Sequence, residues 1–328
     1  MKRREVIAAL CWAAMCPLPG RAEEPQPMRR VGVLLLWPEN DPMARASTTA
    51  FSQALARLGW TEGKNIRIDY RFAAGDPALF KSYAADLVRL MPDVLLAGAS
   101  LAIAALRQQT RTIPIVFVNV SDPIGQGFVE SLARPGGNIT GFTAYDAPLM
   151  GKWVQLLKEI APGVTRVVVI FNPDTTPYAA SLNEAIQAAA PHFGVTTTFA
   201  QVHDDAGIEE AITILAREPG GGVIALPDIF NVAHRNLIVA AAARHGLPLI
   251  GTPDFPRAGG LISYSFDTVE VHAQGASYVD RILKGASPAD LAVQQPVKYS
   301  LAINVTTAKA LGLTIPQRIL ALADEVID

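Results

Sequence analysis

Short apolar runs alternate with longer amphipathic stretches along most of the chain. The first run, Val31–Trp37, is uninterrupted, as is typical of a parallel strand that is covered on both faces. The next stretch, Ala44–Leu58, carries Phe51 and Leu55 at a helical spacing of four residues. Because strand and helix continue to alternate in this way, the pattern predicts an open parallel sheet with helices on both faces.

The strand and helix pattern forms two series, separated by the Gly-rich stretch Arg134–Gly141. The further predicted strands are Ile66–Tyr70, Val94–Ala97, Ile115–Val118, Arg166–Phe171, Thr196–Ala200, Val223–Ala225 and Leu249–Gly251. The further predicted helices are Pro77–Leu90, Leu101–Gln109, Met150–Ile160, Tyr178–Phe193, Ile208–Leu215 and Val232–His245. The sequence therefore predicts an α/β fold with two doubly wound parallel-sheet lobes and no Ser- or Pro-rich linker between them.

The tail of the chain does not fit two simple consecutive domains. It contains a further predicted strand, Leu261–Ser265, a long amphipathic helix, Thr268–Leu283, and another helix, Ile303–Leu311. We expect the chain to cross between the lobes more than once and to form a multi-strand hinge. The expected N-terminal lobe comprises residues 29–143 and 264–296, and the C-terminal lobe comprises residues 144–263 and 297–328. Such a hinge allows the lobes to close around a ligand.

Residues 1–22 have the composition of a secretory signal peptide, with a basic start, the apolar stretch Val6–Leu18 and a cleavage site after Ala22. The apolar stretch is about 13 residues long, whereas a membrane span needs roughly 20. Both cysteines, Cys11 and Cys16, lie in this leader. We therefore expect a periplasmic protein whose mature chain has no disulfide, cysteine nucleophile or thiolate metal site.

Charge and motif content narrow the function further. Cleavage removes four basic residues and one acidic residue, which leaves 24 basic against 29 acidic side chains, a balance that disfavours nucleic-acid binding. The sequence has no GxSxG, GxxxxGK[ST] or HExxH motif, and its five histidines are scattered. These features favour a monomeric binding protein without cofactor or metal over an enzyme.

Loops that follow strands are the places to look for a ligand, because open α/β sheets bind ligands beyond the carboxyl ends of their strands. In the first series, Trp37 is either a stacking wall or half-buried packing. Ser100 is expected to cap a helix whose N-terminus can hold a carboxylate, and Ser121 or Asp122 is expected to cap the next helix, with Pro123 at its first position. Plain capping without a ligand is the alternative for Ser100, Ser121 and Asp122.

The second series offers similar loops. Asn172 follows one predicted strand, and Tyr178 opens the helix after it. Asp228 follows the apolar run that ends at Leu226, and is therefore either a helix cap or the partner of a ligand ammonium group. Thr252 and Asp254 occupy the loop after the last strand of the series.

Several segments resemble the family of ABC-transporter substrate-binding proteins that includes amino-acid-binding members with a type I periplasmic-binding fold. They are Ile113–Phe117, Ser121–Pro123, Arg134–Gly141 and Ile303–Pro316. The resemblance implies that Ser100, Ser121 and Asp122 line one side of a ligand cleft, with Asn172, Asp228 and the loop Thr252–Asp254 on the other. It also implies transient binding to an ABC permease. A sensor that presents its closed form to a membrane receptor is the alternative, since both would use the same fold.

Overall fold

The computed structural model describes residues 28–328, so the predicted signal peptide lies outside the described residues. The strands are β1 (Arg29–Leu35), β2 (Ile66–Phe72), β3 (Val94–Gly98), β4 (Ile115–Val120), β5 (Ile139–Thr143), β6 (Arg166–Phe171), β7 (Thr196–Gln201), β8 (Gly221–Ala225), β9 (Leu249–Gly251), β10 (Ile262–Phe266), β11 (Tyr299–Asn304) and β12 (Glu325–Ile327).

The α-helices alternate with these strands through most of the chain. They are α1 (Pro42–Arg57), α2 (Pro77–Arg89), α3 (Ser100–Gln109), α4 (Ala147–Ile160), α5 (Ala179–Ala189), α6 (Asp205–Ala216), α7 (Ile229–Ala233), α8 (Arg235–Arg244), α9 (Asp254–Arg257), α10 (Thr268–Leu283), α11 (Val305–Ala310) and α12 (Gln317–Leu320). No helix within residues 28–328 is both long and apolar enough to cross a membrane.

Two sheets organise the molecule and confirm the predicted α/β class. The first lobe is built on a five-stranded parallel sheet in the order β2-β1-β3-β4-β5. The second lobe is built on a seven-stranded sheet in the order β12-β11-β10-β9-β8-β6-β7, in which only the β10–β11 pairing is antiparallel. Strands β3, β5 and β8 are buried along their whole length, as expected when helices cover both faces.

The chain passes between the two sheets three times. It leaves the first sheet after β5, returns after β10 when α10 packs against α1, β3 and β4, and leaves again before β11. Strand β10 belongs to the second sheet along its whole length, so the second crossing comes at Asp267, slightly later than the boundary expected at residue 264. Near the third crossing, Thr143 N donates to Gln294 O at 2.8 Å, which places the first and third crossing segments side by side.

Three predicted elements differ from the observed ones. Part of the Gly-rich stretch Arg134–Gly141, for which no strand was predicted, belongs to β5, where a Cβ on Gly141 would lie 2.0 Å from the Phe117 carbonyl oxygen. The predicted helix Ile303–Leu311 begins only after β11 ends, because Asn304 is its N-cap. The predicted helix Val232–His245 is two helices, which meet at His234.

Aspartate caps start many of the helices. Asp41, Asp76, Asp204, Asp228 and Asp267 each accept a hydrogen bond from a backbone N–H in the first turn of the following helix. A carboxylate in this position satisfies an otherwise unpaired donor and interacts favourably with the helix dipole. Aspartates are therefore concentrated in loops where strands lead into helices, and a capping role has to be considered for each of them.

Candidate functional site

A cavity of about 130 Å³ lies between the lobes, beyond the carboxyl ends of the strands. The part that we call the first-lobe wall consists of Leu36, Trp37, Met43, Gly98, Ala99, Ser100, Leu101, Asn119 and Ser121. The second-lobe wall consists of Thr175, Tyr178, Pro227, Asp228, Ile229, Val232, Thr252, Pro253 and Asp254. The segments that cross between the lobes add Ala144, Tyr145, Phe266 and Thr268.

Most of the predicted site residues meet at this cavity. Those in its walls are Trp37, Ser100, Ser121, Tyr178, Asp228, Thr252 and Asp254. Asp122 and Asn172 are not among the residues that line it. The loops of both series therefore come together at one place, although Asp122 and Asn172 do not reach the cavity.

Asp122 was expected either to cap a helix or to face a ligand, and the structure shows neither. The residues after it form turns instead of a helix, and its Oδ1 accepts from Gly125 N at 2.9 Å. Its φ of 45° lies in the left-handed region, which aspartate tolerates better than most residues. Asp122 therefore closes a turn at the edge of the site.

Asn172 also stabilises a loop. Its Oδ1 accepts from Asp174 N at 2.8 Å, and its own backbone N–H donates to Asp228 Oδ2 at 2.8 Å. The side chain is thus used in an Asx turn, as short amide side chains often are. Thr175, three residues further along, takes its place in the second-lobe wall.

The N-terminus of α3 carries the most unusual feature of the first-lobe wall. Ser100 was expected to be the N-cap, but the N-cap is Ala99, and no side chain caps this helix. The first intrahelical bond is donated by Ile103 N to Ala99 O, so the preceding N–H groups have no helical partner. Because Ser100 and Leu101 line the cavity, a ten-residue helix presents free donors and the positive end of its dipole to the ligand space.

Gln126 fixes the loops of this wall relative to one another. Its Nε2 donates to Ser100 Oγ at 3.1 Å and to Ser121 O at 2.6 Å. The Ser100 hydroxyl therefore has an acceptor lone pair occupied by protein, which leaves its proton free to be donated elsewhere. The result is a preorganised set of donors without any charged side chain.

Asp228 gives the second-lobe wall a buried carboxylate. It is 3% exposed and accepts from Thr175 Oγ1 at 2.6 Å, Phe230 N at 3.0 Å and Asn172 N at 2.8 Å. Burial nevertheless raises the pKa of this carboxyl group, against the lowering effect of the hydrogen bonds. No Lys, Arg or His of residues 28–328 forms an ion pair with it.

Asp254 is a second acid in this wall, at the first position of α9. Burial raises the pKa of its carboxyl group, Arg235 and Arg257 lower it, and Asp41 of the first lobe raises it. Asp41 therefore lies near enough to act electrostatically on the Asp254 carboxylate. The second-lobe wall is therefore negative, and the first-lobe wall is a region of hydrogen-bond donors.

Aromatic rings surround the remainder of the cavity. The Tyr178 hydroxyl donates to Pro227 O at 2.7 Å, and the Tyr145 hydroxyl bonds Ser265 Oγ at 2.8 Å. Tyr145 also packs edge-on against Phe266, with ring centroids 5.1 Å apart. Because these hydroxyl groups already have partners, the rings are held rigidly, and burial raises the pKa of both tyrosines. Trp37 contributes its ring from the first lobe.

Several wall residues were missed by the sequence reasoning. Tyr145 lies two residues after β5, a strand that was not predicted, and Asn119 lies in an irregular part of β4. The spacing of the sequence contains no signal for either residue, although Ser121 and Asp122, shortly after Asn119, were predicted to belong to the site. Within residues 28–328, no group of three or more His, Cys, Asp or Glu side chains is arranged to hold a metal ion.

Comparisons with known proteins agree with this architecture. A tyrosine-binding protein of Clostridioides difficile is 26% identical over 282 residues, which cover 83% of this chain and 78% of that protein. A conserved domain protein of Vibrio cholerae has a crystal structure with a TM-score of 0.84 and 33% identity, covering 91% of this chain and 99% of its own. The ABC domain of Streptococcus pneumonia in complex with L-Trp has a TM-score of 0.84 at 24% identity, covering 92% of this chain and 100% of its own.

The family assignment follows from the extent of the match. The profile described as ABC transporter substrate binding protein matches residues 35–327, which includes both sheets and every wall of the cavity. The resemblance noted for Arg134–Gly141 and Ile303–Pro316 is thereby confirmed over nearly the whole described chain. The chain belongs to the ABC transporter substrate-binding protein family and is a solute-binding protein, not an enzyme.

Proposed function

We propose that this chain is the periplasmic solute-binding component of an ABC importer and that it captures an amino acid with an aromatic side chain between its lobes. One observation carries the proposal. The uncapped N-terminus of α3 and the unpaired carboxylate of Asp228 line the same cavity from opposite lobes. An amino acid carries a carboxylate and an ammonium group in close proximity, and it can satisfy both at once.

The carboxylate belongs at the first lobe. The free N–H groups at the start of α3 and the Ser100 hydroxyl are donors, and the helix dipole favours negative charge there. Ser121 is buried in the adjoining loop, which Gln126 ties to Ser100. No cationic side chain lines this wall, so backbone dipoles provide the attraction.

The ammonium group belongs at the second lobe. A buried carboxylate without a cationic partner is costly, as its raised pKa reflects, and a ligand cation removes that cost. Three of the hydrogen-bonding positions on Asp228 are occupied by protein donors, whereas an ionised carboxylate offers about four. Asp228 therefore acts as both a helix cap and a ligand acceptor, which joins the two roles that the sequence left open.

The aromatic side chain of the ligand fits the rings in the cavity. Trp37, Tyr145, Tyr178 and Phe266 form much of the apolar wall, and aromatic pairs are favourable at edge-on or offset geometry. The tyrosine-binding relative and the L-Trp complex support the same choice of ligand class.

Lobe closure would couple capture to transport. At the edge of the cavity, Gly75 of the first lobe lies against Ile229 of the second, since a Cβ on Gly75 would be 3.0 Å from Ile229 Cγ1. Changing an open-to-closed ratio from 1:99 to 99:1 needs about 5.5 kcal/mol of preferential binding to the closed form. Ligand contacts to both walls supply such a preference, because they all form only when the lobes are together.

The partner in this proposal is a permease of the inner membrane, which binds the closed form transiently. The family match supports an importer over the sensor alternative. The predicted signal peptide, residues 1–22, supports a periplasmic location.

The test is a calorimetric titration of the purified chain with the twenty L-amino acids, followed by the substitution Asp228→Asn. We expect tyrosine or tryptophan to bind most tightly and Asp228→Asn to weaken that binding about 10- to 100-fold, since a hydrogen bond to a charged group contributes roughly 1.5 to 3 kcal/mol. The matched control is Asp204→Asn, which alters a cap on α6 that is not in the cavity wall. Unchanged affinity in Asp228→Asn would remove Asp228 from the site, and a panel without any binder would reject the ligand class.

A further inference from the structure

The end of strand β4 is irregular where it reaches the cavity. Phe117 and Val118 pack in different core clusters on opposite faces of the first sheet, as alternation requires. Val120 should then be in the cluster of Val118, but it is in that of Phe117. The pairing register with β5 shifts between Phe117 and Val120, so Asn119 is the extra residue of a bulge.

The backbone of Asn119 is in an uncommon conformation. Its φ is 58°, in the left-handed region, where asparagine is tolerated better than most other residues that have a Cβ. The bulge takes Asn119 out of the strand alternation and into the first-lobe wall of the cavity. Bulges that redirect a side chain in this way are over-represented next to functional sites.

The side chain of Asn119 also has an unused hydrogen-bonding atom. Among the cavity-lining residues of the described chain, two have a buried side-chain oxygen without a hydrogen-bond partner, Asn119 Oδ1 and Thr252 Oγ1. A buried polar atom that lacks a hydrogen-bond partner destabilises the folded protein unless a ligand or water satisfies it. The two atoms come from opposite lobes.

We propose that the amide oxygen of Asn119 accepts a hydrogen bond from the α-ammonium group of the ligand, which makes it a specificity-determining residue for primary amino acids. This inference rests on the proposed function. An ammonium group has three N–H donors, and Asp228 of the second lobe has about one acceptor position left for them. Asn119 provides a neutral acceptor from the first lobe, and Thr252 provides another from the second.

The position of Asn119 favours the ammonium group over other ligand donors. Strand β4 pairs with β3, whose end leads into the uncapped N-terminus of α3, and Gln126 ties the loop after β4 to Ser100. A carboxylate held at that helix has its own α-ammonium group within a few bonds. An acceptor on the neighbouring strand is therefore next to the charged end of the ligand.

Two substitutions test the inference through opposite expected effects. Asn119→Gly removes the amide, and glycine adopts the left-handed backbone without strain, so folding is preserved. We expect L-tyrosine or L-tryptophan, whichever the unaltered protein binds more tightly, to bind Asn119→Gly about tenfold more weakly. Asn119→Asp keeps the shape and makes the acceptor negative, so the same ligand should bind as tightly as before or more tightly.

Met91→Gly is the matched control, because Met91 has a φ of 48° in an exposed turn away from the cavity. Calorimetry gives the affinities, and thermal melts followed by circular dichroism show that each variant is folded. Unchanged binding in Asn119→Gly would overturn the inference. So would Asn119→Asp binding as weakly as Asn119→Gly, since that result places the amide against the ligand carboxylate. If the unaltered protein binds neither amino acid, the proposed function itself fails.

Discussion

The two walls of the cavity differ in the polar groups that they contain. The first-lobe wall relies on backbone N–H groups at the start of α3 and on serine hydroxyl groups, whereas the second-lobe wall contains the carboxylates of Asp228 and Asp254. Donors face acids across a space bordered by aromatic rings. The donors of one lobe and the carboxylates of the other are therefore complementary to the two opposite charges of the ligand that we propose.

The helix caps show how this difference arises. Helices α1, α2, α6, α7 and α10 each begin with an aspartate cap, whereas α3 begins at Ala99 without any side-chain cap. Of the first-lobe helices α1, α2, α3 and α10, it is α3 that lacks a side-chain cap, and its N-terminus lies at the cavity. In the second lobe, the cap of α7 is itself part of the wall, because Asp228 is both a cap and a lining residue.

Giving α3 the cap that it lacks should have the largest effect. In Ala99→Asp, the new carboxylate would accept from the free N–H groups and place negative charge where the ligand carboxylate is proposed to bind. We expect amino-acid affinity to fall by about 100-fold or more, while the cap itself stabilises the helix by up to about 1 kcal/mol. Calorimetry and thermal melts measure the two effects, and Ala99→Gly is the control that adds no charge. Retained affinity in Ala99→Asp would show that α3 is not the carboxylate site.

Obstructing the contact between the lobes should have the next largest effect. Asparagine tolerates the φ of 76° at Gly75, but its side chain would collide with Ile229 in the closed form. We expect Gly75→Asn to weaken ligand binding about tenfold without unfolding either lobe, because open protein avoids the collision. Gly75→Asn combined with Ile229→Ala should recover part of the lost affinity, as calorimetry can determine. If the double variant recovers no ligand affinity, the contact between Gly75 and Ile229 is not part of lobe closure.

The effect of pH should be smaller and should come from the second-lobe wall alone. Because the pKa of Asp228 is raised, its carboxylate takes up a proton at a higher pH than an ordinary aspartate, and the ligand ammonium then loses its partner. Affinity should therefore fall, by at most about tenfold per pH unit, as pH decreases below that pKa, and should be constant above it. The dependence should disappear in Asp228→Asn, and a profile that persists there would point to another group.

The same pKa shift has a consequence for the stability of the ligand-free protein. A folded-state pKa above the unfolded value of about 3.9 means that the folded protein retains a proton that the unfolded chain has released. The contribution of Asp228 to the free energy of unfolding therefore decreases as pH rises from the unfolded pKa through the folded one. Urea unfolding of the ligand-free protein and of Asp228→Asn, compared across this pH range, would isolate the contribution of Asp228 to the free energy of unfolding.

Much of the fold could be predicted from the sequence because the elements have strong local signals. The helix Thr268–Leu283 and the strand Leu249–Gly251 match their predicted bounds, since the helix has a clear amphipathic periodicity and the strand is a short buried run between Pro248 and Thr252. Strand β5 was missed, because its glycine is explained only by the close approach of Phe117. That contact joins neighbouring strands that are far apart in the sequence, so the residues around Gly141 do not indicate it.

The location of the site could be predicted because the topology of parallel sheets brings the loops after the strands together. The carboxyl ends of parallel strands meet at one edge, and this rule was enough to bring Ser100, Asp228 and Thr252 to the cavity. It could not tell which polar side chains would be used within their own turns, as Asp122 and Asn172 are. Nor could it locate Asn119, because a bulge depends on pairing between strands.

In the proposed function, the first lobe binds the carboxylate of an amino acid and the second lobe binds its ammonium group. Calorimetric titrations with L-tryptophan, tryptamine and indole-3-propionate test it most directly, because tryptamine lacks the carboxylate and indole-3-propionate lacks the ammonium group. We expect each analogue to bind at least about 100-fold more weakly than L-tryptophan. If tryptamine binds as tightly as L-tryptophan, the first-lobe wall does not recognise the carboxylate. If indole-3-propionate does so, the second-lobe wall does not recognise the ammonium group, and either result contradicts the proposed function.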